Sequence, residues 1–455
     1  MSSINPDIFH AYDVRGIYPE QVNSISARAI GRAFVRFLKK SSGKDKLKVV
    51  IGRDNRNSSS ELSGALKEGI LSEGADIVDI GQSPSPMFYF GVWHYGYDGG
   101  VQVTASHNPP QFNGFKIVRE KAIMIGKNAG LNEIKEVALS LTDEELEEGE
   151  GKIEKKDILE DYVKFNLGEL DKKKLKPLKI AIDTGNAVSG ILIPELKKHL
   201  PLQIHHLFPE LDGSFPNHAP NPLEEENVKD LKNFIKENDY DLGLAFDGDG
   251  DRIIFISETG EIIPSDYITC LISEALLKDN PGAKILYNVC SSNVIKDIVE
   301  ENKGVALHTR IGHTFVKQRM KKEEALFGGE FSGHFYLKSH PYGEVPLAIL
   351  FKILMKISEN EKPISKLLIS FKKYFHSGQK NLEVEDKNKT LQLLEDKYKE
   401  GEISHLDGLR VDFDNWWFNA RPSNTEDLLR IVVEAKNDGL MKEKFQEILN
   451  LAKEN

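Results

Sequence analysis

Apolar runs and amphipathic stretches alternate along this chain in an order that recurs three times. "LKVVIGRDNRNSSSELSGALKEGI" (47–70) opens on an apolar run, crosses a short polar loop and continues with apolar residues at helical spacing, serines standing where a helix is capped. "LKIAIDTGNAVSGILIPELKKHL" (178–200) and "AKILYNVCSSNVIKDIVEENK" (283–303) have the same grammar. A second apolar run follows each helix, in "ADIVDIGQSP", "LQIHHLFPE" and "VALHTRIGHT", and a third ends in a polar loop, in "GGVQVTASHNPP", "YDLGLAFDGDGDR" and "EALFGGEFSGH". Strands separated by helices in this way predict largely parallel sheets whose ligand-facing loops sit at strand carboxyl ends. After about Pro363 the pattern changes, and the alternation in "GLRVDFDNWWFNARPSNTEDLLRIVVEA" predicts antiparallel strands. The expected fold is therefore three similar α/β domains with mixed, largely parallel sheets plus a C-terminal α+β domain, around a central cleft. Boundaries are expected at 1–155, 156–256, 257–368 and 369–455.

Two charged stretches, "LTDEELEEGEGKIEKKD" (141–157) and "DKKKLKP" (171–177), read as solvated helix surface and linker at the first join. "PLAILFKILMKI" is the most apolar late stretch, but Lys352 and Lys356 interrupt it and it is short for a membrane span. The N-terminus has no basic segment followed by an apolar one, so no signal peptide is read. Cys270 and Cys290 are the only cysteines in 455 residues, which fits a reducing, cytoplasmic compartment. The net charge of −11 argues against non-specific nucleic-acid binding, which needs a positive surface, while leaving room for a local basic pocket.

The loops that close the repeats differ in chemistry. In "TASHNPP" (104–110) Ser106 and His107 are adjacent, and adjacent side chains on an extended chain point to opposite faces, so the two are not expected to act as nucleophile and base. The Gly-x-Ser-x-Gly elbow of α/β-hydrolases is missing from the chain. "DGDGDR" (247–252) spaces Asp247, Asp249 and Asp251 with glycines. Such carboxylates repel one another unless a cation sits among them, and glycine lets the backbone bring their oxygens together. A hard divalent metal, Mg²⁺, is the expected occupant; the plainer reading is an acidic surface turn. An EF-hand fails on context, because Arg252 stands where the calcium loop needs glycine and the flanks "LGLAF" and "IIFI" look like strands. Three monodentate aspartates still leave a metal wanting oxygen, and a phosphorylated Ser106 would supply it. Ser106 would then be a phosphoryl carrier assisted by a metal and positive groups, with His107 orienting the loop.

With "GEFSGH" (329–334) and "RPSNTE" (421–426), the four loops in this order resemble those of the α-D-phosphohexomutases, within them the phosphomannomutase/phosphoglucomutase group, over essentially the whole chain. The resemblance implies a phosphoserine domain, a metal domain, a sugar-recognition domain and a phosphate-binding domain, in that order. It makes Ser106 the phosphoryl carrier and, with Asp247, Asp249 and Asp251, a ligand of one Mg²⁺. "YDVRG" nominates Arg15 as a partner of the transferring group, "NGFKI" nominates Lys116 for proton transfer, and "GHT" nominates His313. Substrate binding falls to Arg252, Glu330, Ser332, His334, Arg421, Ser423, Asn424 and Thr425. The implied reaction is reversible transfer between the 1- and 6-positions of a hexose phosphate, mannose or glucose, through a hexose 1,6-bisphosphate that also serves as activator. Neither nucleic acid nor membrane is an expected partner, and the chain is expected to be a monomer or homodimer. The alternatives are a phosphoglucosamine mutase and a non-catalytic sugar-phosphate or divalent-cation binding protein of the same fold.

Single loops also have plainer readings. "RPSNTE" could cap a helix over "TEDLLR", His313 could be a satisfied structural histidine, and Glu330 and His334 could line a surface loop. Asp427 stands where many relatives have proline, a change expected to alter only a first helical turn.

Overall fold

The computed structural model describes residues 4–141, 149–168, 170–423 and 428–453. By its packing the chain forms two units, 1–263 with 339–364, and 264–338 with 365–455.

Among the described residues the first unit holds two sheets. In one, the strands Lys48–Arg53, Asp76–Gln82 and Gly99–Val103 are parallel, and the apolar runs that predicted them are buried at Val49, Val50, Ile51, Ile77, Val78 and Val101. Phe112–Arg119 returns antiparallel beside Gly99–Val103 and carries Val14–Ile17 on its far side, so Arg15 lies opposite Gly114, two residues from Lys116. The charged stretch expected to be linker contributes an exposed edge strand, Ile153–Lys155, parallel to Asp76–Gln82; residues 142–148 lie outside the described chain. The second sheet repeats the plan: Lys179–Asp183, Gln203–Leu207 and Leu242–Phe246 are parallel, and Ile253–Ser257 returns antiparallel. The flanks of "DGDGDR" are thus strands, and the loop is a hairpin connection.

The second unit repeats it once more with Lys284–Asn288, Val305–Thr309 and Phe327–Gly329 parallel and Phe335–Leu337 antiparallel. Each chemical loop therefore occupies one topological place, the turn from the last parallel strand into its antiparallel neighbour. The final sheet is antiparallel throughout its described strands, built around Trp416–Pro422 and Leu429–Ala435. The helix considered over "TEDLLR" does not form across its described part, because Leu429 onward is strand: Leu429, Ile431 and Val433 are buried in the core with Leu409, Phe418 and Leu394. Asp427 lies outside the described residues. The apolar stretch after the sugar loop forms the helix Pro346–Asn360, buried within the first unit. No helix of the described residues is long and apolar enough to cross a membrane.

Candidate active site

Ser106 begins where strand Gly99–Val103 runs out. Its backbone N–H donates to Thr104 Oγ1 (2.9 Å), and it takes φ +51°, the left-handed region that a side chain with a Cβ rarely adopts. The expectation that Ser106 and His107 face apart fails here for that reason. The chain is no longer extended, and Ser106 Oγ comes within 3.2 Å of His107 Nδ1. Ser106 Oγ also donates to Asp247 Oδ2 at 3.1 Å, so the serine loop of the first sheet meets the aspartate loop of the second. The meeting is close. A Cβ at Gly248 would run into the carbonyl oxygen of Ser106, whereas Gly250 is demanded by its own backbone, at φ +68°.

Asp247, Asp249 and Asp251 are all buried and each offers a carboxylate oxygen within 4.8 Å of the others. Burial, with Asp251 and Asp249 as neighbours, pushes the Asp247 carboxyl up to about 8. Lys116 Nζ donates to Asp249 Oδ2 and to Asp251 Oδ2, both at 2.6 Å. Burial opposes the lysine charge, but Asp249 and Asp251 outweigh it and hold the ammonium well above the ordinary lysine range. Arg252 approaches Asp247 from the other end of the hairpin, Nε to Oδ2 3.8 Å. Asp249 Oδ1 remains buried with no hydrogen-bond partner among the described residues. A carboxylate cluster of this density with an orphaned acceptor fits a divalent cation. Glu160, Glu195 and His199 also converge, but Lys164 and Lys198 already neutralise the two glutamates.

Arg15 completes this group. Its Nη1 donates to Asn108 Oδ1 (2.6 Å) and its Nη2 to Asp13 Oδ2 (2.5 Å). Burial opposes its charge, and Asp13, with Asp249 and Asp251, more than restores it. Sequence reasoning missed Ser85, which opens the helix Ser85–His94. Its hydroxyl donates to Asp249 Oδ2 and its backbone N–H to the Asp249 carbonyl (2.8 Å). No spacing rule links residues this far apart in the chain.

The remaining nominated residues belong to the second unit. Glu330 is buried in the turn between Phe327–Gly329 and Phe335–Leu337, and Tyr336 Oη donates to it. Ser332 Oγ and His334 Nδ1 are 2.9 Å apart, and the Phe331 N–H donates to Asn288 Oδ1 (3.2 Å). His313 opens the helix His313–Glu323, just after Gly312. Arg421 is nearly fully buried at the end of Trp416–Pro422, where its Nη2 donates to Gln379 Oε1 (3.0 Å), a partner the sequence did not indicate. Ser423 closes the strand end through its N–H to the Leu428 carbonyl (2.8 Å). Asn424 and Thr425 lie outside the described residues.

Residues 6–145 match the phosphoglucomutase/phosphomannomutase alpha/beta/alpha domain I, 159–260 domain II, 264–374 domain III, and 380–451 the C-terminal domain of the same family. A phosphomannomutase of Vibrio cholerae serotype O1 is 38% identical over 98% of this chain and 98% of its own. One of Methanocaldococcus jannaschii is 38% identical over 98% and 97%, and a phosphomannomutase/phosphoglucomutase of Pseudomonas putida is 35% identical over 95% and 93%. The crystal structure of a phosphoglucomutase/phosphomannomutase family protein from Burkholderia thailandensis superposes with a TM-score of 0.88 at 34% identity, covering 99% of this chain and 98% of that one. The chain belongs to the phosphoglucomutase/phosphomannomutase family. It is a phosphohexomutase, an enzyme whose family acts on hexose phosphates.

Proposed function

We propose that this enzyme interconverts the 1- and 6-phosphates of mannose or glucose through a phosphorylated Ser106. The observation that carries the reading is the placement of Ser106 Oγ, in a left-handed turn, 3.1 Å from a buried three-aspartate cluster. In the forward half-reaction the bond from phosphorus to Ser106 Oγ breaks as a bond to the free sugar hydroxyl forms; the departing Ser106 Oγ takes a proton from the Lys116 ammonium, and the sugar hydroxyl gives its proton to His313 or to the lysine amine so freed. The resulting hexose 1,6-bisphosphate reorients. Ser106 Oγ then attacks the other phosphoryl group: its bond to phosphorus forms as the sugar oxygen–phosphorus bond breaks, and the Ser106 proton is passed through the same side chains to the sugar oxygen. Asp247, Asp249, Asp251 and the phosphorylated Ser106 would hold the metal, for which Mg²⁺ is proposed. When bound, it neutralises charge on the phosphoryl oxygens. Arg15 adds a guanidinium to the transferring group, Arg252, Glu330, Ser332 and His334 bind the sugar phosphate, and Arg421, Ser423, Asn424 and Thr425 hold the phosphate that is not being transferred. The test is a coupled assay on mannose 1-phosphate, glucose 1-phosphate and glucosamine 1-phosphate, with intact mass read for phosphate on Ser106. Turnover of glucosamine 1-phosphate alone would overturn the sugar assignment.

Asp249→Asn keeps the shape of one ligand and removes its charge. Mg²⁺ affinity is expected to fall by at least the roughly 10- to 100-fold that loss of an outer-shell partner typically costs. Calorimetric titration with Mg²⁺ reads this directly, and an unchanged isotherm would take Asp249 out of the ligand set.

Arg421→Ala tests the reorientation. If one loop holds the 6-phosphate in one half-reaction and the 1-phosphate in the other, losing a charge-assisted bond should weaken apparent binding of both isomers by roughly ten- to a hundredfold. Because Arg421 is buried against Gln379, some loss of melting temperature accompanies the change. The discriminating measurement is kinetics in both directions, and a large defect for one isomer only would mean two phosphate pockets.

A further inference from the structure

The loop that carries Ser106 is built around a guanidinium to which the reaction proposed above gives no part. Arg56 follows the strand Lys48–Arg53 and is 2% exposed. Its Nη2 donates to the carbonyl oxygens of Ser106 (2.8 Å) and Asn108 (2.6 Å), and its Nη1 to those of Pro109 (2.7 Å) and Phe112 (3.0 Å). Its Nε donates to Asp54 Oδ2 at 3.1 Å. A guanidinium carries five N–H donors in one rigid plane, and here all are used, four of them on the main chain of a single segment, 106–112. Asp54 is fixed in turn by the Ser59 hydroxyl and the Arg56 backbone N–H (3.0 Å).

This arrangement bears on Ser106 in two ways. A non-glycine residue at positive φ is strained and persists only where its surroundings over-determine it. The Ser106 carbonyl is so determined, held by Arg56 Nη2 on one side and crowded by Gly248 on the other. The bond to the Asn108 carbonyl also sets the residue whose side chain receives Arg15. Arg56 touches neither Ser106 Oγ nor Arg15 in these bonds, yet both are placed by a main chain it fixes.

We propose that Arg56 is a positioning residue for phosphoryl transfer, its guanidinium setting the backbone of 106–112 so that Ser106 Oγ meets the aspartate cluster and Asn108 meets Arg15. The inference rests on the reading of Ser106 as the phosphoryl carrier. Lysine cannot replace Arg56, because an ammonium has three donors and no fixed plane.

The test follows phosphoryl uptake from glucose 1,6-bisphosphate by dephosphorylated enzyme in rapid quench, read by intact mass. Amplitude counts competent sites and rate reports their geometry, so partial unfolding lowers only the first. Arg56→Lys is expected to slow the rate on the order of 100-fold, the typical cost of a displacement near 1 Å at the reacting group. KM for hexose phosphate should move less than about threefold, since the nominated sugar and phosphate loops are untouched. Millimolar guanidinium should restore part of the rate to Arg56→Ala, and tetramethylammonium should not. A wild-type rate in folded Arg56→Lys, or a defect confined to amplitude, overturns the proposal. If neither Arg56 variant folds, Asp54→Asn keeps the four main-chain bonds and loosens the Nε anchor, together with the Asp54 contact to Thr104. Its rate should fall on the order of tenfold, and an unchanged rate overturns the proposal. If wild-type enzyme itself takes up no phosphate, the carrier reading has failed, a result distinct from any variant defect.

Discussion

Replacing Ser106 by alanine is expected to abolish steady-state interconversion while leaving hexose phosphate binding intact. The hydroxyl is the only group of this loop proposed to form a bond to phosphorus, and loss of a nucleophile in a covalent mechanism typically lowers kcat on the order of 10⁴- to 10⁶-fold. The substitution removes one oxygen, with its bonds to Asp247 and His107, and changes nothing in the second unit, where Glu330 and Arg421 lie. The backbone has little reason to move, because Arg56 holds the Ser106 carbonyl, and not its side chain, with Gly248 packed close against it. Turnover without added bisphosphate and calorimetric binding of a hexose 6-phosphate, measured on the same preparation, test the pair of expectations. Turnover within tenfold of wild type would sink the carrier role, about 1.4 kcal/mol being too small for a lost covalent step.

Lys116→Met is expected to produce the largest change in stability, and one that depends on metal. Lys116 is 3% exposed and sits 2.6 Å from two carboxylates that are themselves at most 2% exposed. Removing one partner from a buried ionic cluster typically costs about 3–5 kcal/mol, because the remaining charges are left uncompensated. In chelator the melting temperature should therefore fall steeply. In Mg²⁺ much of the loss should be recovered, since a cation among Asp247, Asp249 and Asp251 supplies the missing positive charge. Activity should remain low in both, by on the order of 10²- to 10⁴-fold, if Lys116 moves a proton. Melting curves that coincide in chelator and in Mg²⁺ would show that these carboxylates are not a metal site.

Much of the fold was legible because burial on both faces writes itself as an apolar run, and the three chemical loops interrupt such runs in one position each. The exposed strand Ile153–Lys155 was not legible, since a short charged edge strand has no burial to record. Around 425–435 two signals competed. Cap-forming side chains favoured a helix, but Leu429, Ile431 and Val433 pack on one side of the sheet with Phe418, and that tertiary burial prevails. The stretch at Pro346–Asn360 was read only as unfit for a membrane span, and the unit that buries it is set by tertiary packing. In the site, the acidic motif was visible from its spacing. The supporting residues were not, because Ser85 reaches Asp249 across the chain and Gln379 reaches Arg421 from outside its loop. The contact between Ser106 and His107 was misread because a positive φ leaves no mark on the residue that adopts it.

The two glycines of "DGDGDR" answer to different masters. Gly250 satisfies the hairpin's own curvature, whereas Gly248 makes room for a carbonyl that belongs to another sheet. The motif is thus partly a cast of its neighbour. An insertion, or a side chain at 248, would act first on the serine loop, through contact, before it acted on the aspartates. The two loops are therefore bound to a shared history: in any descendant of this chain, a rebuilt serine turn and a larger residue at 248 should be found together or not at all.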